Sequence, residues 1–268
     1  MLPAIRKIAA AVCLALLVLS GAAAAQYQNG IPVLLYHHVS DDRGDMAVLT
    51  TSPAEFDRQL AALKAAGFTT ISPDDLLAYV KGEAVKLPDK PVVITFDDGY
   101  EDNYSNAFPI LAKYGYKAAV FMVGINFDRK DRLSSREIGA MTAAGYTVGG
   151  HSMTHPNLTA LDGPRLAAEV AGSRAKAERV TGKAVRYFAY PGGFYDIRTV
   201  EAVREAGFAG AFTVLTGLNE AGRDDPYLLR RIPVFARTDF AKLLALLNAN
   251  APKTSLLQYD LERPEDDE

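Results

Sequence analysis

The chain has 268 residues, 49% of them hydrophobic, enough for one large core or two modest ones. Its formal charge is −3, with 29 basic residues against 32 acidic ones. Losing Arg6 and Lys7 with the first 25 residues takes this to 27 against 32, or −5, which excludes nucleic acid and anionic lipid as the main partners.

The chain opens with "MLPAIRKIAAAVCLALLVLSGAAAAQ": a basic start, an apolar run from Ile8 to Leu19, and a small-residue pattern at Ala23 and Ala25. It reads as a secretory signal peptide over 1–25, cleaved after Ala25, because the apolar run is short for a membrane span. An uncleaved anchor is the alternative. The one cysteine, Cys13, falls inside this segment, so the mature domain has no disulfide. Export without disulfides suits a bacterial periplasm or the extracellular space. One domain is expected over 26–250, acting as a monomer, with a solvated acidic tail over 251–268 that ends "LERPEDDE".

In chain order, the first strand is expected over 31–36, followed by His37 and His38 in "PVLLYHHVS". Ser52-Pro53-Ala54-Glu55 supplies an N-cap, a first-turn proline and a capping-box glutamate for a helix over 53–66. Ser72-Pro73-Asp74-Asp75 repeats the signal for a short helix through Leu76, Leu77 and Val80. Further strands are expected over 68–71, 92–96, 117–123, 146–150, 187–190, 209–215 and 231–235, with helices over 103–114, 135–144, 164–180, 196–206 and 238–248. Four helix-to-strand junctions share one pattern, "AAGF", "KYGY", "AAGY" and "EAGF": a glycine able to cap a helix in the left-handed region, then an aromatic residue. Strands alternating with helices imply one α/β domain with a mainly parallel sheet, barrel-like, whose chemistry sits at the carboxyl ends of the strands.

Two segments at such ends carry ionisable residues. "PVVITFDDGY" ends a buried strand with Asp97 and Asp98, two anions whose adjacency is costly unless something compensates. A capped strand end turning at Gly99 is the plain reading. "GGHSMTHPN" places His151 and His155 four apart, so that on a helical turn both imidazoles face one metal ion. Ser152 stands where a zinc-protease helix has its glutamate base, so a base must come from elsewhere. One aspartate with the two histidines gives three ligands and open positions for water and substrate, and the other aspartate is free to act as base. A cation also offsets the repulsion of the doublet.

"TFDDGY" followed by "HSMTH" about fifty residues later resembles the first two motifs of the polysaccharide deacetylases, the NodB-homology carbohydrate esterases. The resemblance spans roughly 31–248 and implies a distorted (β/α) barrel. It also implies Asp97 as base and Asp98, His151 and His155 as ligands of a divalent metal, zinc foremost. The third motif departs from the family pattern: "FAYPGG" has Ala189 where an arginine is usual, while Gly192 stands where a backbone N–H assists the oxyanion. The late histidine that usually serves as acid is absent, since no histidine follows His155. The early "LLYHH" is similar to the branch acting on poly-β-1,6-N-acetylglucosamine, a biofilm polysaccharide, where an early histidine takes the acid's place; this implies His37, with His38 structural. In the same branch an arginine like Arg231 replaces the missing one and orients the base; a solvated Arg230-Arg231 pair is the alternative. Tyr190, Pro191 and Tyr195 are the candidate sugar contacts, although aromatic residues at strand ends are as often core.

The expected function is therefore metal-dependent removal of acetyl groups from N-acetylglucosamine units of an exported polysaccharide. Three rival readings stay open. They are a non-haem iron oxygenase, an inactive carbohydrate-binding homologue, and a deacetylase of peptidoglycan, chitin oligomers or an acetyl ester.

Overall fold

The structure is a computed structural model that describes residues 30–249; the expected signal segment and acidic tail lie outside the described residues. The elements run β1 (Val33–Tyr36), β2 (His38–Val39), β3 (Thr50–Thr51), α1 (Pro53–Ala65), β4 (Thr69–Thr70), α2 (Pro73–Val80), β5 (Pro91–Phe96) and α3 (Phe108–Lys113). They continue with β6 (Ala119–Met122), α4 (Ser135–Ala143), β7 (Thr147–Gly150), α5 (Gly163–Thr181), β8 (Tyr187–Ala189), α6 (Ile197–Glu205), β9 (Gly210–Phe212), β10 (Ile232–Pro233) and α7 (Phe240–Asn248).

The helix punctuation read from the sequence is present. Gly67, Gly115, Gly145 and Gly207 all have φ between +70° and +88°. Behind each, the aromatic residue donates its N–H back into the last helical turn: Phe68 to Leu63, Tyr116 to Leu111, Tyr146 to Met141 and Phe208 to Val203. This six-to-one bond satisfies a terminal carbonyl and turns the aromatic ring inward, where all four are buried. At the helix starts, Ser72 and Asp75 form a reciprocal capping box. Ser52 caps α1 through the Glu55 N–H, but the Glu55 side chain turns to Arg58 and Gln59 instead of closing the box.

The sheet order is β10-β1-β5-β6-β7-β8-β9, with all pairs parallel. On the side of β5 away from β1, β4 pairs with its start and β6 with its end. The two edges meet through one segment. Leu229 exchanges backbone bonds with Ala211 (2.9 Å) and Thr213 (2.8 Å) beside β9, and three residues later Ile232 pairs with Leu34 of β1. This single domain is a curled parallel sheet, the half-barrel of the expected (β/α) type.

Alternation along the strands sorts two cores. Val33, Val93, Ala119, Phe121, Tyr187, Ala189 and Phe212 point inward and pack with Leu76, Leu77 and Val80 of α2. Leu34, Tyr36, Ile94, Phe96, Val120, Met122 and Phe188 point outward beneath the other helices. Tyr187 at the start of β8 donates its hydroxyl to Asp74 of α2, so α2 covers the amino-terminal end of the barrel and leaves the carboxyl end open.

Some expected elements differ. The single helix over 103–114 is a wide π-type turn over 103–107 followed by α3. Pro109 lacks an N–H for a regular ladder, and Asn103 and Asn106 donate their side-chain amides to the carbonyls of His37 and Val39. The strands expected over 209–215 and 231–235 shrink to three and two residues, although single backbone bonds continue past them, from Thr213 to Leu229, from Arg231 to Leu215 and from Val234 to Leu35. The two-residue pair β2 and β3 carried too short a pattern to be read.

The barrel interior has no spare volume at β7. A Cβ on Gly149 would stand 2.4 Å from the Phe121 ring and 2.8 Å from the Tyr187 carbonyl. Gly149→Ala is expected to lower unfolding free energy by about 1–3 kcal/mol through overpacking, measured by urea denaturation.

Candidate active site

The inward alternation does not stop where the strands end. Val93, Thr95 and Asp97 share one face, as do Val33, Leu35 and His37, Gly149 and His151, and Leu229 and Arg231. Four polar side chains thus enter the open mouth of the barrel from four directions, each as the inward residue after an apolar or small one.

Asp97 and Arg231 meet there. Arg231 Nη1 donates to Asp97 Oδ1 and Nη2 to Oδ2, both at 2.7 Å, and Nε donates to the Thr213 carbonyl at 2.8 Å. Arg231 is completely buried and Asp97 nearly so. Burial pushes the Asp97 carboxyl up, but the Arg231 guanidinium, with the His151 imidazole, outweighs it and holds the group at about 2. Arg230, by contrast, points outward toward Asp224.

Asp98, His151 and His155 offer ligand atoms that all lie within 4.8 Å of one another. Asp98 Oδ1 is 3.6 Å from His151 Nε2 and 3.5 Å from His155 Nε2. His151 Nδ1 lies 2.7 Å from the Ala189 carbonyl, which can only accept, so the neutral ring keeps its Nε2 lone pair toward the other two groups. Two imidazole nitrogens and a carboxylate oxygen are a donor set that suits zinc and related divalent ions.

The way the two histidines meet corrects the helical-turn expectation. Residues 151–155 form a bend, with Ser152 at φ +58° and His155 at φ +62°, and the rings lie edge to face with centroids 4.8 Å apart. Ser152, in the place of the protease glutamate, accepts the His155 N–H at 2.9 Å and closes the bend. Asp98 is left-handed as well, at φ +71°. Gly99 after it passes so close to β6 that a Cβ would stand 2.2 Å from Met122 Sδ. Strained backbone of this kind gathers at functional sites.

His37 and His38 diverge as alternation requires. His37 faces the mouth, where burial lowers its pKa while Asp97 and Asp98 pull toward the charged form. His38 turns away, stacks on Tyr100 with centroids 3.3 Å apart, and donates Nδ1–H to Asp102 at 2.6 Å. Gly192 lies in the turn Pro191–Gly193 directly after β8, at φ +60°. Of the three expected sugar contacts, Tyr190 and Pro191 are buried. Tyr190 gives its hydroxyl to the Tyr227 carbonyl and belongs to the outward core, so it has no face for a ligand. Tyr195 keeps part of its surface, and the exposed aromatic beside it is Phe194, 56% exposed.

Sequence reasoning passed over the groups that orient Asp98. Tyr100 donates its hydroxyl to Asp98 Oδ2 at 3.1 Å, leaving Oδ1 toward the histidines. Asn126 and Arg132 donate to the Asp98 carbonyl at 3.3 and 3.4 Å. Tyr100 stood in "TFDDGY" with no role given to it, and Asn126 and Arg132 gave no sequence signal.

Comparison with known proteins bears on the fold and family of the chain. The family model described as polysaccharide deacetylase matches residues 84–211. The protein YxkH of Bacillus subtilis (strain 168) is 31% identical over 205 residues, covering 76% of this chain and 71% of that protein. The crystal structure of a polysaccharide deacetylase from Bacillus cereus superposes with a TM-score of 0.72 at 29% identity, covering 81% of this chain and 69% of that one. A poly-β-1,6-N-acetyl-D-glucosamine N-deacetylase of Staphylococcus aureus (strain MRSA252) is 26% identical over 195 residues, covering 68% of this chain and 67% of that protein. The chain belongs to the polysaccharide deacetylase family.

The buried pair generates a stability prediction. Arg231→Met leaves the Asp97 carboxylate buried and unpaired, and should cost about 3–5 kcal/mol in denaturant unfolding. Adding Asp97→Asn to that variant removes the stranded charge and should recover part of the loss.

Proposed function

We propose that this protein is a metal-dependent N-deacetylase acting on N-acetylglucosamine units of an exported polysaccharide, with poly-β-1,6-N-acetylglucosamine the favoured polymer. The observation that carries the reading is the convergence of the Asp98, His151 and His155 ligand atoms with Asp97 and His37 at one barrel mouth. A divalent cation, zinc by preference for this donor set, would be held by Asp98 Oδ1, His151 Nε2 and His155 Nε2, and would supply Lewis acidity and a water of lowered pKa.

The chain's own residues supply the rest. Asp97 is ionised at neutral pH and held by Arg231, so it is free to take a proton from the attacking water. The Gly192 N–H donates to the oxygen on which negative charge develops, a contact worth about 3 kcal/mol in comparable sites. His37 gives a proton to the departing amine nitrogen. The acetyl C–N bond breaks, acetate leaves, and a glucosamine unit remains in the polymer.

The polymer assignment is supported by the Staphylococcus aureus relative named for that substrate, and by the early histidine taking the acid's position. Exposed Phe194, Ile197, Val214 and Leu215 follow β8 and β9 at the open end of the barrel, and apolar surface there suits the faces of sugar rings. Action on an exported polymer fits cleavage after Ala25 and a monomer in the periplasm or outside the cell. No helix among the described residues is long and apolar enough to cross a membrane.

Acetate release from poly-β-1,6-N-acetylglucosamine, chitin oligomers and peptidoglycan tests the reading. Release from the first should exceed the others, should stop with a chelator, and should return with zinc or cobalt. Release from another polymer alone would replace the substrate, and no release by the zinc-loaded protein from any would overturn the activity.

Asp97→Asn should keep bound zinc and lower kcat by about 10²–10⁴-fold, whereas His151→Ala and Asp98→Ala should lose the metal. His37→Ala should retain metal and fold yet lose most amide hydrolysis, with much less effect on an activated acetyl ester, whose leaving group needs little protonation. His38→Ala should keep most activity; equal losses on amide and ester in His37→Ala would count against the acid role.

A further inference from the structure

The bend between the two candidate histidine ligands is held from outside its own strand. Glu169, on α5, accepts the backbone N–H groups of Met153 and Thr154 on Oε2, both at 2.8 Å, and the Thr154 hydroxyl on Oε1 at 2.7 Å. On the other side, Gly124 and Ile125 donate their N–H groups to the carbonyls of Ser152 and Met153, each at 2.9 Å. The Met153 side chain is wedged between two glycines. A Cβ would stand 2.3 Å from its Sδ at Gly124 and 2.8 Å from its Cγ at Gly172 on α5.

These contacts bear on a backbone that would not keep its shape unaided. Ser152 and His155 both sit in the left-handed region, which residues with a side chain avoid. His155 is the more exposed of the two rings, and its N–H donates to Ser152 Oγ at 2.9 Å, which ties it to the bend. His151, by contrast, is buried and anchored through Nδ1 to Ala189. The position of His155 Nε2 therefore depends on the bend, and the bend depends on a carboxylate that accepts three bonds. A charged acceptor makes those bonds shorter and stronger than neutral ones.

We propose that Glu169 is a positioning residue that sets the metal affinity of the site by clamping residues 152–154 and thereby placing His155. The proposal rests on the reading that Asp98, His151 and His155 bind a divalent cation. The bonds of Glu169 go to Met153 and Thr154 and not to a ligand atom. Its effect is on how far the ligand set is organised before the ion arrives. An outer residue that orients a ligand is typically worth 10–100-fold in metal affinity.

The test is zinc affinity of the full chain, by competition with a chromophoric chelator, and the visible spectrum of the cobalt form. Zinc binding by the unaltered protein comes first: its failure would remove the metal reading itself, and with it the basis of this one. Given that binding, Glu169→Ala should weaken zinc about 10–100-fold and alter the cobalt spectrum, while near-normal kcat returns at saturating zinc. Glu169→Gln should stay within a few-fold of the unaltered protein, because the amide oxygen can accept both N–H groups and the amide nitrogen can donate to Thr154 Oγ1. Thr154→Val removes one of the three bonds and should give a smaller loss of affinity, and it decides the matter if Glu169→Ala does not fold. Unchanged affinity in Glu169→Ala, an equal loss in Glu169→Gln, or unchanged affinity in Thr154→Val with Glu169→Ala unfolded would each overturn the proposal.

Discussion

The bidentate pair of Arg231 and Asp97 is the constraint on which the barrel mouth depends. Two charges held out of water stabilise a fold only when geometry is good and the remaining donors are satisfied. Here both carboxylate oxygens accept at 2.7 Å, and Nε finds the Thr213 carbonyl. The pair spans the barrel from β5 to the segment that joins β9 to β1. Arg231 can reach Asp97 only while Leu229 stays bonded to β9 and Ile232 to β1. Sheet closure and orientation of the carboxylate are therefore one structural event.

The same pair explains how two adjacent aspartates avoid competing. Asp97 continues the inward alternation of β5 and turns both oxygens to Arg231. Asp98 breaks that alternation by entering the left-handed region, which swings its carboxylate toward Tyr100 and the two histidines. Met122 beneath Gly99 leaves room for that turn only because no Cβ is there. The doublet is two anions on two different backbone conformations, each facing its own positive or proton-donating partners.

Much of this was legible in the chain because it rests on local rules. Glycine caps with a following aromatic residue marked four helix ends, and period-two alternation set His37 and His38 on opposite faces, while the family resemblance pointed to His37 as the one facing the site. The motif pair "TFDDGY" and "HSMTH" marked the positions that converge. What was not legible depends on contacts across the fold. Spacing of four suggested a helix for His151 and His155, but the bend is made by Ser152 and His155 in conformations that spacing does not encode. Tyr190 looked like a sugar contact because it adjoins the third motif, yet alternation after Phe188 sends it into the outward core. Asn126 and Arg132 reach the Asp98 carbonyl from a rim loop whose sequence has no periodicity to read.

Ala189, in the usual position of the arginine, shows why a site can survive the loss of a motif residue. A carboxylate buried at a strand end needs a bidentate cation, and the physics does not specify from which wall of the barrel it comes. With the arginine supplied by the closing segment, position 189 needs only a small inward side chain and a carbonyl. Its carbonyl takes up another task, accepting the Nδ1 proton of His151 and so fixing the tautomer that frees Nε2. The altered third motif is thus compatible with an intact site, because both of its electrostatic requirements are met by groups the fold supplies: a guanidinium on Asp97 and a proton acceptor behind His151. A homologue that had merely lost its arginine would leave Asp97 as an isolated buried anion, and its pKa would rise with burial instead of being held at about 2.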